Sequence, residues 1–240
     1  MCNYCFLTFN FNFNFQYIKC TDGFKNVIQQ SFSLENVRDN VRQILHAINS
    51  EKFPMGQNNA SVAELAFEIM KSDSNDSISQ ISCPKCDYCE AEHADHLGFV
   101  LHNSTSKKAS STQNWLSTLA KHCRTRCSQC SARLVRQVEY SIGPKLLVLE
   151  YPLTTIKTSH QIKVETQDEM TYLSLKGIVY HGGSHFASRI INPDGPIWYN
   201  DGIETGKNSI LDGHLSTMSD DGLKKCRGKN LVLAVYGQEN

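Results

Sequence analysis

Hydrophobic residues recur at helical spacing in the first part of the chain. Between residues 24 and 49 they are mostly three or four positions apart, which predicts an amphipathic helix: Val27, Ile28, Phe32, Leu34, Val37, Val41, Ile44, Leu45 and Ile48. Val62–Met70, with the sequence VAELAFEIM, predicts a second helix. Ser61 is a suitable N-cap for it, and Glu64 is the capping-box partner three residues on. Thr112–Lys121 has the pattern of a shorter helix.

After residue 131 the pattern becomes that of β-strands. Polar and apolar residues alternate in Ala132–Tyr140 and Thr171–Tyr180, whereas Lys145–Tyr151 is a nearly continuous apolar run. The same criteria predict three further strands: His185–Ile191, Pro196–Tyr199 and Asn230–Tyr236. Helices followed by strands predict an α+β fold.

Two segments have less regular patterns. In residues 1–19, Phe9, Phe11, Phe13 and Phe15 alternate with asparagine, which fits either a strand with one apolar face or a low-complexity end. Lys71–Gln80, with the sequence KSDSNDSISQ, is predicted to be a polar linker.

Composition narrows the class of protein. The 240 residues are 40% hydrophobic and 20% charged, which is typical of a globular protein with a sizeable core. The net charge is zero and the pI is about 7.1, so no overall field favours nucleic acid or an anionic membrane. No apolar run could span a bilayer, and the first residues lack the basic flank and cleavage site of a secretory signal. A cytoplasmic or nuclear location is therefore expected.

Ten cysteines are a high count for such a chain, and their spacing indicates a metal site. Cys83 and Cys86 form one CxxC pair, and Cys127 and Cys130 form another. Two such turns can supply the four thiolates of a tetrahedral structural zinc site. Two unrelated thiol turns are the alternative, and a redox CxxC is disfavoured because neither pair lies at a strand-to-helix junction. Further candidates that could replace a ligand are Cys89, Cys123, His93, His96 and His122.

A histidine and an aspartate lie at the ends of two consecutive predicted strands. His185 begins one strand and Asp201 ends the next, and Asn192–Gly195 (NPDG) is a favourable turn between them. Side by side, the carboxylate could orient the imidazole as in a Cys-His-Asp site. His181 is a competing candidate, a purely structural histidine is the alternative, and Asn200–Gly202 could be only a turn.

These motifs resemble those of a known family. Tyr172–Phe186 (YLSLKGIVYHGGSHF) resembles the histidine box of ubiquitin-specific proteases, and Trp198–Gly202 (WYNDG) is similar to the element that follows it. The two CxxC pairs resemble the fingers region of these enzymes, and LVLAVYG near the end resembles their closing strand. The resemblance covers roughly residues 80–237. The interval between the two histidines is shorter than usual, and Ser184 stands where the family has glycine.

The resemblance implies a fold, an activity and partners. The fold would be papain-like, in a single domain with a helical lobe (1–75), a zinc-bearing fingers region (76–140) and an antiparallel sheet lobe (141–240). The activity would be thiol-dependent hydrolysis of the peptide or isopeptide bond after the C-terminal glycine of ubiquitin. His185 would be the general base, Asp201 its orienting partner, and His181 non-catalytic. The expected partners are ubiquitin and ubiquitinated proteins, with no nucleic acid or membrane, and the protein is expected to be a monomer.

The nucleophile of this family is a cysteine near the N-terminus. Asn3–Thr8 (NYCFLT) resembles its box, which implies Cys5 as the nucleophile, with Cys20 as the second candidate. Alternating phenylalanine and asparagine replace the helix that follows the cysteine in the family, and the family's upstream asparagine would fall before Met1. The resemblance therefore implies a divergent member with a truncated N-terminus.

Two other classes of function are weighed against this one. The first is a catalytically inactive pseudo-protease that binds ubiquitin or acts as a zinc scaffold. The second, a zinc-finger protein that binds nucleic acid, is disfavoured because aromatic residues do not interleave with the basic residues near the cysteine pairs.

Overall fold

The chain folds into a mixed α/β structure that is mostly sheet. The computed structural model describes residues 34–55, 61–70, 77–93, 98–101, 109–118, 121–152, 155–166, 168–206 and 208–239. Its helices are α1 (Leu34–Ile48), α2 (Val62–Met70), α3 (Thr112–Thr118) and α4 (Asp220–Lys224). The three helices predicted from sequence are present within these bounds. The pattern predicted for residues 1–19 and the first part of the predicted helix, residues 24–33, lie outside the described residues.

A large sheet forms the centre of the molecule. Its strands are β3 (Gly98–Val100), β6 (Leu146–Glu150), β7 (Gln161–Glu165), β8 (Met170–Gly182), β9 (His185–Ile191), β10 (Pro196–Asn200), β11 (Ile210–His214), β12 (Lys225–Cys226) and β13 (Lys229–Gln238). Their order is β11-β10-β9-β8-β13-β6-β3; in addition, β7 pairs with β8, and β12 pairs with β13. All these pairings are antiparallel except that of β3 with β6.

A second, four-stranded sheet carries the two CxxC pairs. Its order is β2-β1-β5-β4, with β1 (Ser77–Ser82), β2 (Cys89–His93), β4 (His122–Arg126) and β5 (Arg133–Tyr140). The prediction of a linker over Lys71–Gln80 is wrong at its C-terminal end, because Ser77–Gln80 lie in β1. The strand forms despite its polar sequence because β2 and β5 pair with both of its edges. Residues 71–76 lie outside the described part.

The segment between the two cysteine pairs in sequence does not all belong to this small sheet. Gly98–Val100 pair with β6 of the large sheet, and Trp115 of α3 is 1% exposed in the large core. The small sheet is therefore built from two separated pieces of chain, residues 77–93 and 121–140.

The large sheet is covered on both faces, and alternate residues of its central strands belong to two different cores. In β6, Leu147 and Leu149 face a core that contains Trp115, while Leu146 and Val148 face the core formed with α1 and α2. This follows from the two-residue period of a strand. It also explains why the sequence of β6 is apolar throughout rather than alternating.

The helices α1 and α2 cover one face through a few apolar residues. Val41 and Leu45 of α1 are each 2% exposed, and Ala66 of α2 is fully buried against the same sheet. The predicted cap of α2 is present, since the Glu64 amide donates to Ser61 Oγ at 3.3 Å. None of the described helices is long and apolar enough to cross a membrane.

Replacement of Leu147 by alanine should lower the free energy of unfolding by about 2–5 kcal/mol, because it removes a fully buried side chain from the core on one face of the large sheet. Leu211, on strand β11, is 63% exposed and serves as the matched control. Leu211→Ala should change the stability by less than about 0.5 kcal/mol. Urea unfolding followed by circular dichroism measures both values, and equal losses would contradict this description of the core.

Candidate functional site

A tight turn between β8 and β9 sets the position of His185. The strands pair up to Gly182 and His185, and the two residues between them, Gly183 and Ser184, have φ of 59° and 60°. Two consecutive positive φ values are typical of a type I′ hairpin turn, which matches the twist of the flanking strands. Glycine adopts this conformation without strain, whereas Ser184 is one of the few non-glycine residues that do so here.

His185 and Asp201 are in direct contact. Nε2 of His185 lies 2.6 Å from Oδ1 of Asp201, and the two residues are 9% and 0% exposed. The contact forms because β9 and β10 are adjacent antiparallel strands, joined by the predicted turn in which the Gly195 amide donates to the Asn192 carbonyl at 2.9 Å. The sequence-based expectation that these two side chains could meet is therefore realised geometrically.

The Asp201 carboxylate is surrounded by hydrogen-bond donors. Oδ1 accepts from the amides of Ile203 at 2.9 Å and Glu204 at 3.2 Å, in addition to the imidazole. Oδ2 accepts from the Tyr199 hydroxyl at 3.1 Å and lies 3.1 Å from Nζ of Lys229. Every one of these groups stabilises the negative charge of the carboxylate.

Asp201 is consequently ionised in spite of its burial. Burial by itself raises the pKa of the carboxyl, but the hydrogen bonds from His185, the Ile203 amide and Lys229 outweigh it and hold the pKa of Asp201 well below 3.8. A carboxylate can only accept, so the proton of this hydrogen bond is on Nε2 of His185. The Nδ1 atom is the ring nitrogen left for a second partner, such as a thiol.

The loop that follows β10 is held by side chain to backbone hydrogen bonds. Asn200 Nδ2 donates to the Asn208 carbonyl at 2.8 Å, and the Asp201 amide donates to Thr205 Oγ1 at 3.0 Å. The Thr205 amide in turn donates to the Asp201 carbonyl at 2.8 Å. Asn200 is thus the last residue of β10, and the turn that begins at Gly202 holds the Asp201 carboxylate in place through these hydrogen bonds.

His181 lies on the opposite face of the sheet from His185. Its ring contacts that of Phe186, with centroids 4.5 Å apart, and Phe186 packs on the core beneath α1 and α2. A cleft of about 210 Å³ opens there, lined by Ser61, Val62, Ala63, Glu150, His181, Phe186, Val232 and Leu233. Burial, and secondarily the charge of Glu64, raise the pKa of Glu150 in this cleft. His181 is not the histidine that pairs with Asp201.

Both candidate nucleophiles, Cys5 and Cys20, lie outside the described residues. Sequence reasoning found His185 and Asp201 but missed Lys229, whose Nζ contacts the carboxylate. No local motif identifies that lysine, because it belongs to a strand almost 30 residues further along the chain. Tyr199 lay within the WYNDG segment, and its position two residues before Asp201 on β10 was the available signal.

Four of the six clustered cysteines come together in the small sheet. The sulfur atoms of Cys83, Cys86, Cys127 and Cys130 all lie within 4.8 Å of one another. Cys83 Sγ is 3.3 Å from Cys130 Sγ, and Cys86 Sγ is 3.6 Å from Cys127 Sγ. A tetrahedral zinc site with Zn–S bonds of 2.3 Å has sulfurs about 3.8 Å apart, so the four thiols fit such an ion.

The two CxxC turns share one backbone hydrogen bond. The Cys83 amide donates to the Tyr88 carbonyl at 2.9 Å, and the Cys127 amide donates to the Ala132 carbonyl at 2.8 Å, each spanning five residues. The Lys85 amide also donates to Cys83 Sγ at 3.4 Å. Amides directed at sulfur favour thiolates, which is the form that binds a metal.

The thiols of this cluster cannot all ionise readily by themselves. Burial opposes the Cys83 thiolate, but the Lys85 amide and the neighbouring thiols lower the pKa of Cys83 to about 7. For Cys86 the Tyr88 amide favours the thiolate, yet burial and the other three thiols raise the pKa of Cys86 to about 12. A divalent cation would remove this conflict between the two CxxC turns by compensating the accumulated negative charge.

Of the remaining candidate ligands, Cys89 and Cys123 are not part of the four-sulfur cluster. Cys89 is exposed and its sulfur accepts from Gln80 Nε2 at 3.0 Å. Cys123 is 8% exposed and packs in the small core around Leu134. His96 lies outside the described residues, and so do the side chains of His93 and His122.

Replacement of Asp201 by asparagine should lower the free energy of unfolding by about 3 kcal/mol near neutral pH, because it leaves a buried cation without its partner. The pKa of Asp201 is lower in the folded chain than its ordinary value of 3.8. The stability it contributes is therefore present above about pH 4 and is lost as the pH falls through the lowered pKa. Urea unfolding should give a smaller difference between the wild type and the variant at about pH 3 than at about pH 7.

Asp194, an exposed residue of the β9–β10 turn, provides the control for this measurement. Asp194→Asn should alter the stability little at either pH. A loss for Asp201→Asn that does not depend on pH would show that the charge of the carboxylate is not what stabilises the site.

Solved structures with the same overall fold are found at low sequence identity. A chain of the Ubp8–Sgf11–Sgf73–Sus1 SAGA DUB module matches with a TM-score of 0.53 and 13% identity over 92% of this chain and 58% of that one. For the module bound to monoubiquitin the TM-score is 0.51 and the identity 14%, over 93% of this chain and 60% of that one. For the module bound to ubiquitin aldehyde the TM-score is 0.54 and the identity 13%, over 100% of this chain and 68% of that one.

Comparison of the sequence with protein-family models and with curated proteins finds no match. This chain spans about three-fifths of the length of the first two matched chains, 58% and 60%. At 13–14% identity the likeness is one of fold. The chain thus shares the mixed, sheet-rich fold of the SAGA DUB module structures, and its four clustered cysteines are compatible with a structural zinc ion.

Proposed function

We propose that this protein is a thiol-dependent deubiquitinase that hydrolyses the peptide or isopeptide bond after the C-terminal glycine of ubiquitin. The observation that carries the proposal is the 2.6 Å contact between Nε2 of His185 and the buried carboxylate of Asp201. It fixes the tautomer of the imidazole and leaves Nδ1 for a thiol, as a cysteine hydrolase requires. The likeness in fold to a DUB module solved with ubiquitin supports the choice of substrate.

In this proposal Cys5 is the nucleophile and His185 its general base. The thiolate attacks the carbonyl carbon of the terminal glycine, and a C–S bond forms as the tetrahedral intermediate develops. His185 then gives the proton on Nδ1 to the leaving amine as the C–N bond breaks. Water attacks the thioester and gives a proton to Nδ1, and the C–S bond then breaks, which releases the Cys5 thiolate beside the imidazolium and the C-terminal carboxylate of ubiquitin.

The role of Asp201 is to hold the imidazole and to stabilise its protonated form. The carboxylate is fully buried and remains charged, so the imidazolium has a negative partner while the thiolate is free. His181, on the other face of the sheet, has no part in the proton transfers. It lines the cleft beside Phe186 instead.

The proposed organisation is a papain-like single domain with a helical lobe, a fingers region and a sheet lobe. The fingers region holds zinc through Cys83, Cys86, Cys127 and Cys130, and the ion closes the small sheet without taking part in catalysis. The protein would act on ubiquitin conjugates as a monomer in the cytoplasm or nucleus.

A ubiquitin derivative with an electrophile at its C-terminus should form a covalent adduct with the recombinant protein. Cys5→Ala should abolish the adduct, because no other thiol is proposed to be paired with His185. Intact-mass spectrometry of the reaction would show the increase of one ubiquitin. His185→Gln should slow the reaction by at least about 100-fold, since the base that activates the thiol is removed.

Cys2→Ala and Cys20→Ala are the matched controls for this reaction. Adduct formation should persist in both, because neither cysteine is the proposed nucleophile. An adduct that survives Cys5→Ala and disappears in Cys20→Ala would assign the nucleophile to Cys20. Binding of ubiquitin without an adduct would instead support the inactive pseudo-protease.

Purified protein should contain one zinc ion per chain, measured by inductively coupled plasma mass spectrometry. Cys127→Ser should remove the ion and lower the melting temperature, because Cys127 is 2% exposed and supplies one of the four clustered sulfurs. Cys89→Ser should retain the ion, since that exposed thiol lies outside the cluster. Full metal content in Cys127→Ser would contradict the proposed ligand set.

A further inference from the structure

We propose that Lys229 is a positioning residue which partly neutralises Asp201 and so sets the pH range in which the His185 imidazole carries a second proton. The inference deepens the proposed function, because it concerns the same histidine. It does not require that the protein be active, since the imidazole can be observed directly.

The two oxygens of the Asp201 carboxylate contact different side chains. Oδ1 faces the imidazole of His185, whereas Oδ2 lies 3.1 Å from Nζ of Lys229. The side chain of Lys229 is 11% exposed, so water screens this ion pair little. A cation this close lowers the negative potential that Asp201 exerts on the imidazole.

The position of Lys229 is set by a tight hairpin between β12 and β13. Cys226 pairs with Lys229, and the two residues between them, Arg227 and Gly228, have φ of 46° and 78°. These values are typical of a type I′ turn. The turn packs directly on Gly182, where an added Cβ would lie 3.1 Å from Cα of Lys229 and 3.2 Å from the Gly228 carbonyl oxygen.

The other charged side chains described near Asp201 form ion pairs with one another. Nη1 of Arg227 lies 2.8 Å from Oε2 of Glu204, and its guanidinium stacks 4.1 Å from the centroid of the Tyr199 ring. Arg227 also lies 4.0 Å from Asp212, which pairs with Arg189. The single hydroxyl proton of Tyr199 is shared between the carboxylates of Asp201 and Glu204. Tyr199 is neutral, since burial, followed by the charge of Asp201, raises its pKa.

Among the described residues of this region, Cys226 is also neutral. Burial raises the pKa of its thiol. The charge of Arg227 is therefore balanced by Glu204 and Asp212, and Lys229 is the cation whose charge acts on Asp201. A protonated His185 consequently faces a carboxylate that is already partly compensated.

The test follows the imidazole of His185 by NMR as a function of pH. Its resonances are assigned by comparison with His185→Gln, in which they are missing. In Lys229→Met the titration midpoint of His185 should rise by about one pH unit, because the uncompensated carboxylate favours the imidazolium. Lys229→Gln can still donate a hydrogen bond to Oδ2 without a charge, and it should show the same rise.

Two further variants distinguish the charge from a structural effect. Lys225→Met removes an exposed lysine from the same hairpin and should leave the midpoint at its wild-type value. Lys229→Arg keeps the positive charge, so the titration midpoint of His185 should also stay at its wild-type value in this variant. A midpoint unchanged in both Lys229→Met and Lys229→Gln, in protein whose amide spectrum is otherwise native, would overturn the inference.

A kinetic measurement extends the test if the wild type reacts with the electrophilic ubiquitin derivative. The rate of this reaction should fall at alkaline pH, where the imidazolium of the thiolate–imidazolium pair loses its proton. In Lys229→Met this fall should occur at a higher pH than in the wild type, whereas in Lys225→Met it should occur at the same pH. If the wild type forms no adduct, the proposed function fails, while the NMR titration still decides the role of Lys229.

Discussion

The buried carboxylate of Asp201 is the constraint on which the arrangement of the site depends. A charge with no exposed surface is tolerated only when it is fully hydrogen-bonded, and five donors from three parts of the chain converge on this one. They come from β9, from β10 and the loop after it, and from the β12–β13 hairpin. Satisfying one carboxylate therefore fixes the relative positions of these elements and the orientation of the His185 ring.

The small sheet is held together in a different way. In the part of the chain that the structure describes, its buried core consists of three cysteines and one large hydrophobic residue (Cys83, Cys123, Cys127 and Leu134), with Ile81 and Tyr88 partly buried against it. So small a core supplies little free energy from the burial of apolar surface. Two CxxC turns bring four sulfurs together there, and an ion held by them would link both pieces of chain that form the sheet.

The value of sequence reasoning differed between elements for physical reasons. Strands β8, β9, β10 and β13 were predictable because their burial in the large sheet imposes a strong apolar pattern. Strand β1, with the sequence SISQIS, was not, since its stability comes from pairing on both edges rather than from its side chains. Nothing in the local sequence assigned Gly98–Val100 to the edge of the large sheet either, because this three-residue strand is placed by its pairing with β6.

By itself the sequence predicted helices α1, α2 and α3, the strands of the large sheet with a strong apolar pattern, the four-cysteine set and the turn that could bring His185 to Asp201. These depend on short-range periodicity, on CxxC spacing and on one hairpin, all of which are local. Only the tertiary structure decided that His181 faces the opposite side of the sheet and that Lys229 reaches Asp201. The first outcome depends on the register of the β8–β9 hairpin, in which Gly182 pairs with His185. The second depends on how β8 and β13 pair, and pairing between strands so far apart in the chain is set by packing of the whole sheet.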